Sequence, residues 1–319
     1  MSYSDHRDAN VKDFNKSKAL AYDSSWVKNI LILCCHWILR HDSKLPLINL
    51  PYNDKQDTVN DVLKSSILTN IPISRTFNDK SCLKILDFAC GTGLLAELMT
   101  PYLMPNSEFI GIDISENQID LFNSKIDKIL QLNSTLKIHS YQFDIVDENF
   151  NNLNNLSKPD SLVYGSFDFI LCTLSFHHLS GISKILSELQ KYLNDGGKLI
   201  ILDFYDGEDD PDYNGGDDHH GHGHEHEHGH GHGHGEVSSV HHRGQSPQAL
   251  KELMEPFKFT NVESDIIFTF DHWLSMKQLS HHIPPSKIKN VIDTAKMRHF
   301  NKVDEYLVNR NMVMTVCEK

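Results

Sequence analysis

The sequence predicts an α/β fold built on a doubly wound sheet, and three observations predict it. The run Lys84-Ile85-Leu86-Asp87-Phe88-Ala89-Cys90-Gly91-Thr92-Gly93 is an apolar strand that stops at two glycines and opens a helix at Leu94. A second apolar run, Phe109-Ile110-Gly111-Ile112-Asp113, ends in an acid, as strands do where a sheet edge meets a nucleoside. Further apolar runs with polar tips then alternate with helical spacing over residues 136–144, 167–175 and 198–204.

Taken in order, the elements begin with helical spacing over residues 11–21, 24–40 and 58–68, which defines an N-terminal helical region, 1–79, ahead of a domain over 80–319. After the strand and turn at 84–93 come a helix over 94–99 and the strand ending at Asp113. Residues 136–144 read as a third strand tipped by Asp144, and the asparagine-rich stretch 151–159 as a surface loop. Phe167-Asp168-Phe169-Ile170-Leu171-Cys172-Thr173 is nearly continuously apolar, the pattern of a strand buried on both faces. It runs into Phe176-His177-His178-Leu179, a pair of imidazoles at the strand's carboxyl end. A helix over 182–193 ends at Asn194-Asp195-Gly196-Gly197, and a fifth strand follows over 198–204. Residues 247–255 predict a helix, 259–270 a sixth strand, 272–307 a helical cap insertion, and 312–316 a last strand.

A glycine turn after a strand suits an adenosine-containing guest, and the final Ala96 of Gly91-Thr92-Gly93-Leu94-Leu95-Ala96 leaves a dinucleotide open on the glycines alone. Asp87 argues against a pyrophosphate, because a carboxylate there repels it and instead serves a cationic amino group. Here the chain resembles the class I S-adenosylmethionine-dependent methyltransferases, whose first motif reads much like Asp87-Phe88-Ala89-Cys90-Gly91-Thr92-Gly93. The resemblance implies a Rossmann-like seven-stranded sheet with the last strand antiparallel, and S-adenosyl-L-methionine as cofactor. It places Asp87, Ala89, Cys90, Gly91 and Gly93 at the methionine and ribose end, Asp113 and Ile114 at the ribose, and Asp144 with Ile145 at the adenine. Cys172 and Thr173 are then expected beside the sulfonium. The family also implies a lid of N-terminal helices. Phe14 and Tyr22, in a stretch similar to the family's phenylalanine-to-tyrosine-aspartate signature, either cover the cofactor or simply pack an amphipathic helix.

Methyl transfer needs the nucleophile held in line and, for a hydroxyl or acidic carbon, a proton acceptor. His177 is the first candidate, with His178 and His241 behind it; the competing reading is a packing histidine. The residues Thr173-Leu174-Ser175-Phe176 stand where amino-methylating enzymes carry an Asn/Asp-Pro-Pro-Tyr/Phe sequence, which favours an oxygen, carbon or carboxylate acceptor. The expected function is methylation of a small molecule. Protein side-chain methylation and a metal-binding protein on the same scaffold are the alternatives.

The oddest segment is a histidine-, glycine- and aspartate-rich insertion at about 206–238, expected to be disordered. His219, His220, His222, His224, His226 and His228 would bind divalent transition metals without specificity, since interchangeable ligands lack a defined geometry and outer shell. A tolerated low-complexity insertion is the leading reading, and a metal buffer the second.

A formal net charge of -13 disfavours nucleic-acid partners. The six cysteines are scattered and mostly in apolar stretches, as reduced core thiols are, rather than set out to bind arsenite. The apolar stretch at 26–39 is too short to span a membrane and carries Lys28, so no membrane partner is expected. The acidic amino terminus is unlike a signal or transit peptide, which points to the cytoplasm or nucleus.

Overall fold

The computed structural model describes residues 3–15, 19–20, 24–52, 58–65, 68, 70–79, 82–209 and 244–319. The chain opens with α1 (Tyr3–Asp13), α2 (Ser25–Ile38), β1 (Ile48–Leu50), α3 (Thr58–Lys64) and α4 (Arg75–Asp79). The expected helix over 11–21 is interrupted: α1 starts earlier and ends at Asp13, Phe14 and Asn15 lie outside it, and residues 19 and 20 are helical again. Apolar spacing could not place α1, because it is held by polar contacts; Asn10 donates to the His178 carbonyl at 2.8 Å and Arg7 pairs with Asp147.

The expected strands and helices of the domain follow as β2 (Lys84–Phe88), α5 (Leu94–Met99), β3 (Glu108–Asp113), α6 (Glu116–Leu132), β4 (Lys137–Gln142), α7 (Glu148–Leu153), β5 (Phe167–Thr173), α8 (Ile182–Tyr192) and β6 (Leu193–Tyr205). After the insertion come α9 (Pro247–Met254), β7 (Thr260–Ser275), α10 (Met276–His282), α11 (Pro285–Thr294), β8 (Met297–Phe300) and β9 (Val303–Glu318). Among the described residues these strands form one nine-stranded sheet in the order β1-β7-β9-β6-β5-β2-β3-β4, with β8 paired to β9. The strands from β4 to β6 are parallel, and β9 lies antiparallel between β6 and β7. The antiparallel last strand thus stands where the resemblance placed it. β1 and β8 are additions to the expected seven.

Alternation along the strands explains the two layers of helices. Phe169 and Leu171 of β5, with Ile200, Leu202 and Phe204 of β6, join α2, α5 and α6 in one apolar core. Ile170, Cys172, Leu199 and Ile201 face the other way, onto α8 and α9. Neighbouring residues of a strand point to opposite faces, so a sheet covered on both sides needs unbroken apolar runs.

The region 272–307 departs from the expected helical cap. Only α10 and α11 are helical; β7 continues to Ser275, and β8 and the first half of β9 complete a sheet extension. Leu274, Tyr306 and Val308 face α10 and α11 and build a third small core with Leu279 and Ile283. The hairpin joining β8 to β9 turns at Asn301 and Lys302, both at positive φ (48° and 66°), without the glycine that usually marks such a turn. That missing signal hid the strands.

Chain order reverses between β2 and β5: β3 and β4 lie to one side, β6 to the other. The crevice outside the carboxyl ends of β2 and β5 is where an open sheet of this type binds its ligands.

Candidate active site

The crevice holds a cavity lined by Asp87, Ala89 to Thr92, Asp113, Ile114, Gln118, Thr173 to Ser175 and His178, and roofed by Asn10, Phe14, Val27 and Leu31. A second, smaller cavity adjoins it, sharing Asn10, Ala89, Asp113, Ile114, His178 and Leu179, and reaching Tyr3, Arg7, Asp144 and Ile145. Residues expected at the methionine, ribose and adenine ends are thereby brought to one continuous edge.

Its floor is the turn after β2. Gly91 and Gly93 both adopt positive φ, 54° and 73°. A Cβ on Gly93 would sit 2.4 Å from the Phe122 ring, so this glycine makes room for α6 rather than for a ligand. A Cβ on Gly91 would meet nothing nearer than Gln118 Oε1 at 3.7 Å, so that position is fixed by backbone conformation. Asp113 ties the turn down: its Oδ2 accepts from the Gly91 amide at 3.0 Å and its Oδ1 from the Ser115 amide at 2.8 Å. Burial pushes the Asp113 carboxyl up to about 6 against the pull of those backbone donors.

Asp87 is 2% exposed. Burial and the neighbouring Asp113 raise its carboxyl well above the usual carboxylate range. Its Oδ2, Gln118 Oε1 and Thr173 Oγ1 are all buried without a hydrogen-bond partner among the described residues, and all three residues line the larger cavity. Buried polar atoms are rarely left unmatched. Two carbonyl-type acceptors and a hydroxyl converging on one cavity fit a ligand that brings hydrogen-bond donors, and a carboxylate among them fits a cationic amino group.

Asp144 is more crowded. Its Oδ1 accepts from the amides of Val146 (3.0 Å) and Asp147 (3.2 Å), and the Tyr3 hydroxyl reaches both carboxylate oxygens at 3.0 and 3.1 Å. Arg7 Nη1 lies 3.8 Å away. Cys172 is buried with its Sγ 3.3 Å from Ser175 Oγ, and does not line either cavity, whereas Thr173 lines the larger one.

The imidazoles differ in setting. His178 lines both cavities and meets Phe14 edge-on, ring centroids 5.4 Å apart. His177 is 4% exposed and lies outside both cavities, 4.0 Å between centroids from His178. Asp203, at the end of β6, holds it twice: Oδ1 is 2.6 Å from Nδ1, and Oδ2 accepts from the backbone amide at 2.7 Å. Asp203 and Asn10 escaped sequence reasoning, one inside an unremarkable strand and the other on a polar helix without periodicity. Also unforeseen were His272, stacked 4.0 Å from Trp26, and the buried pair Arg310–Asp206. Burial and the Arg310 charge push His272 down to about 3 and hold His282 lower still, so both imidazoles are neutral.

Tyr22, His241 and the histidines from His219 to His228 lie outside the described residues. Among the described residues no group of His, Cys, Asp and Glu could hold a metal ion. No described helix is long and apolar enough to cross a membrane.

Residues 58–264 match the methyltransferase domain family. An uncharacterized methyltransferase of Schizosaccharomyces pombe is 27% identical over 258 residues, 80% of this chain and 80% of that protein. Demethylmenaquinone methyltransferase of Symbiobacterium thermophilum is 29% identical over 119 residues, 37% of this chain and 41% of the relative's length. Among solved structures, a SAM-dependent methyltransferase from Aquifex aeolicus is 14% identical, with 96% of this chain and 98% of that chain covered at a TM-score of 0.43.

Proposed function

The chain belongs to the class I S-adenosylmethionine-dependent methyltransferases, and from that premise we propose that it methylates a small organic molecule at an oxygen, carbon or carboxylate. The observation that carries the proposal is the convergence of unmatched Asp87 Oδ2, Gln118 Oε1 and Thr173 Oγ1 on a cavity roofed by α1 and α2. A roofed cavity excludes a folded macromolecule but admits a small acceptor. The similarity of 37% of the chain to a demethylmenaquinone methyltransferase supports a cyclic, lipid-soluble acceptor within that class.

In this reading Asp87 and Thr173 accept from the amino group of the cofactor, Asp113 accepts from ribose hydroxyls, and Ile114, Ile145 and Asp144 border the adenine. S-adenosylmethionine, when bound, supplies a methyl carbon attached to a positive sulfur. The protein then has two tasks: to hold the acceptor in line, and to take its proton. Phe14, Val27, Leu31 and Leu174 give the cavity apolar walls that exclude water. The proton leaves through the imidazole pair. His178 faces the cavity, and His177 stands behind it with its ring oriented through Nδ1 by Asp203.

The test begins with isothermal titration of the protein with S-adenosylmethionine and S-adenosylhomocysteine, beside Asp113→Ala. Micromolar binding lost in the variant is expected, and absence of binding to either ligand overturns the reading. Turnover with phenolic, quinol and carboxylate acceptors, followed by S-adenosylhomocysteine release, then defines the acceptor. With that acceptor, Asp203→Asn is expected to lower kcat by about 100-fold or more while leaving cofactor affinity unchanged.

A further inference from the structure

Two apolar residues hold left-handed backbone, and both line the crevice. Among the described residues, the non-glycine residues at positive φ are four asparagines, two lysines, Ala89 and Leu174. Asparagine tolerates this region because its short polar side chain hydrogen-bonds locally, whereas a leucine there is strained and has no such compensation. Leu174, at φ 56°, follows β5 directly, and Ala89, at φ 55°, follows β2 directly; each lines the larger cavity.

The left-handed turn decides where the Leu174 side chain goes. Along β5, Phe169 and Leu171 face α2 and α5, while Ile170 and Cys172 face α8 and α9. Continued alternation would send Leu174 to the side of Ile170 and Cys172. It packs instead against the core that holds α2 and α5, on the side from which Val27 and Leu31 line the same cavity. The Leu174 amide still donates to the Leu202 carbonyl at 2.8 Å, so the backbone stays held on β6 while the side chain changes face. The chain then enters the short turn Phe176–His178, which brings His178 to the cavity. A glycine would make the left-handed turn without strain, so the turn alone gives no reason for a leucine. What the leucine adds is a half-buried side chain on the cavity wall.

We propose that Leu174 selects the methyl acceptor: its side chain packs on the face of an aromatic ring and aims that ring's hydroxyl at His178, so the site takes a hydroxylated aromatic in preference to an aliphatic acid. The proposal rests on the methyl-transfer reading, in which the cofactor takes Asp87, Asp113 and Thr173. That leaves Phe14, Val27, Leu31 and Leu174, with His178, for the acceptor. Four apolar side chains offer an aliphatic carboxylate nothing to replace its water, whereas they match the faces of a flat ring whose single polar group meets the imidazole.

The experiment is isothermal titration of the full chain, saturated with S-adenosylhomocysteine, with 1-naphthol and with butyrate. Binding of naphthol without binding of butyrate is expected. Leu174→Gly, which keeps the left-handed turn and removes the side chain, should weaken naphthol about tenfold. Leu174→Met, which restores the bulk, should bind it within about twofold of the native chain. S-adenosylhomocysteine affinity is expected to stay at the native value in both variants. Naphthol that fails to bind, or that binds Leu174→Gly as tightly as the native chain, overturns the proposal and leaves the methyl-transfer reading standing. Butyrate binding as tightly as naphthol does the same, and so does a loss of S-adenosylhomocysteine affinity in Leu174→Gly, which would make the leucine a structural support. Failure of the native chain to bind S-adenosylhomocysteine removes the methyl-transfer reading and this proposal with it.

Discussion

A buried carboxyl that is pushed up but still hydrogen-bonded to backbone amides makes a pH-dependent ligand site, and Asp113 is such a group. Its folded-state value, about 6, lies above the ordinary 3.8, so the fold favours its protonated form. Stability of the unliganded protein from this group is therefore fully present below pH 4 and is lost as pH rises through 6. Ligand hydroxyls, by contrast, donate more strongly to the ionised form. Titration of S-adenosylhomocysteine is expected to give roughly tenfold weaker binding at pH 5 than at pH 7, reversing on return to neutral. Asp87→Asn should weaken the same ligand and flatten part of that slope, because burial and the neighbouring Asp113 raise the Asp87 carboxyl well above the usual carboxylate range. Asp87 and Asp113 were both legible in the sequence, because each ends or precedes a strand tip in a recognisable run. Asp203 was not: an acid in Ile201-Leu202-Asp203-Phe204 has no local signature, and its role exists only because β6 pairs beside β5 and sets it against His177.

At the scale of elements, the turn between β2 and α5 depends on its neighbour α6. Gly93→Ala would drive a Cβ into Phe122 and hold an L-residue at φ 73°. Overpacking and left-handed strain together are expected to lower the unfolding free energy by about 3 kcal/mol, measured by urea denaturation. Gly91→Ala meets only the second penalty and should lose about 1 kcal/mol. The strands and helices around this turn were readable because apolar period and glycine punctuation agree there. They were unreadable at both ends of the chain. α1 has no apolar stripe and is held from outside by Arg7, Asn10 and Tyr3, while the β8–β9 hairpin turns at Asn301-Lys302 where sequence patterns look for glycine.

For the whole molecule, a buried ion pair helps to fasten the sheet extension to the body. Arg310 of β9 donates from Nε and Nη2 to the two Asp206 oxygens at 2.9 and 2.7 Å, with its guanidinium 4.1 Å from the Phe204 ring centroid. Arg310→Met leaves Asp206 as an unpaired buried charge and should cost about 3–5 kcal/mol. Adding Asp206→Leu should restore most of that loss, and the double-mutant cycle by denaturant melting separates pairing from packing. The pair also fastens a strand that arrives late in the chain. β9 lies between β6 and β7, yet it is made after both, with the long insertion intervening between those two. During synthesis on the ribosome, β6 and β7 therefore wait with open edges until Val303 to Glu318 have emerged, and for that interval the nascent chain offers two ready templates for intermolecular pairing.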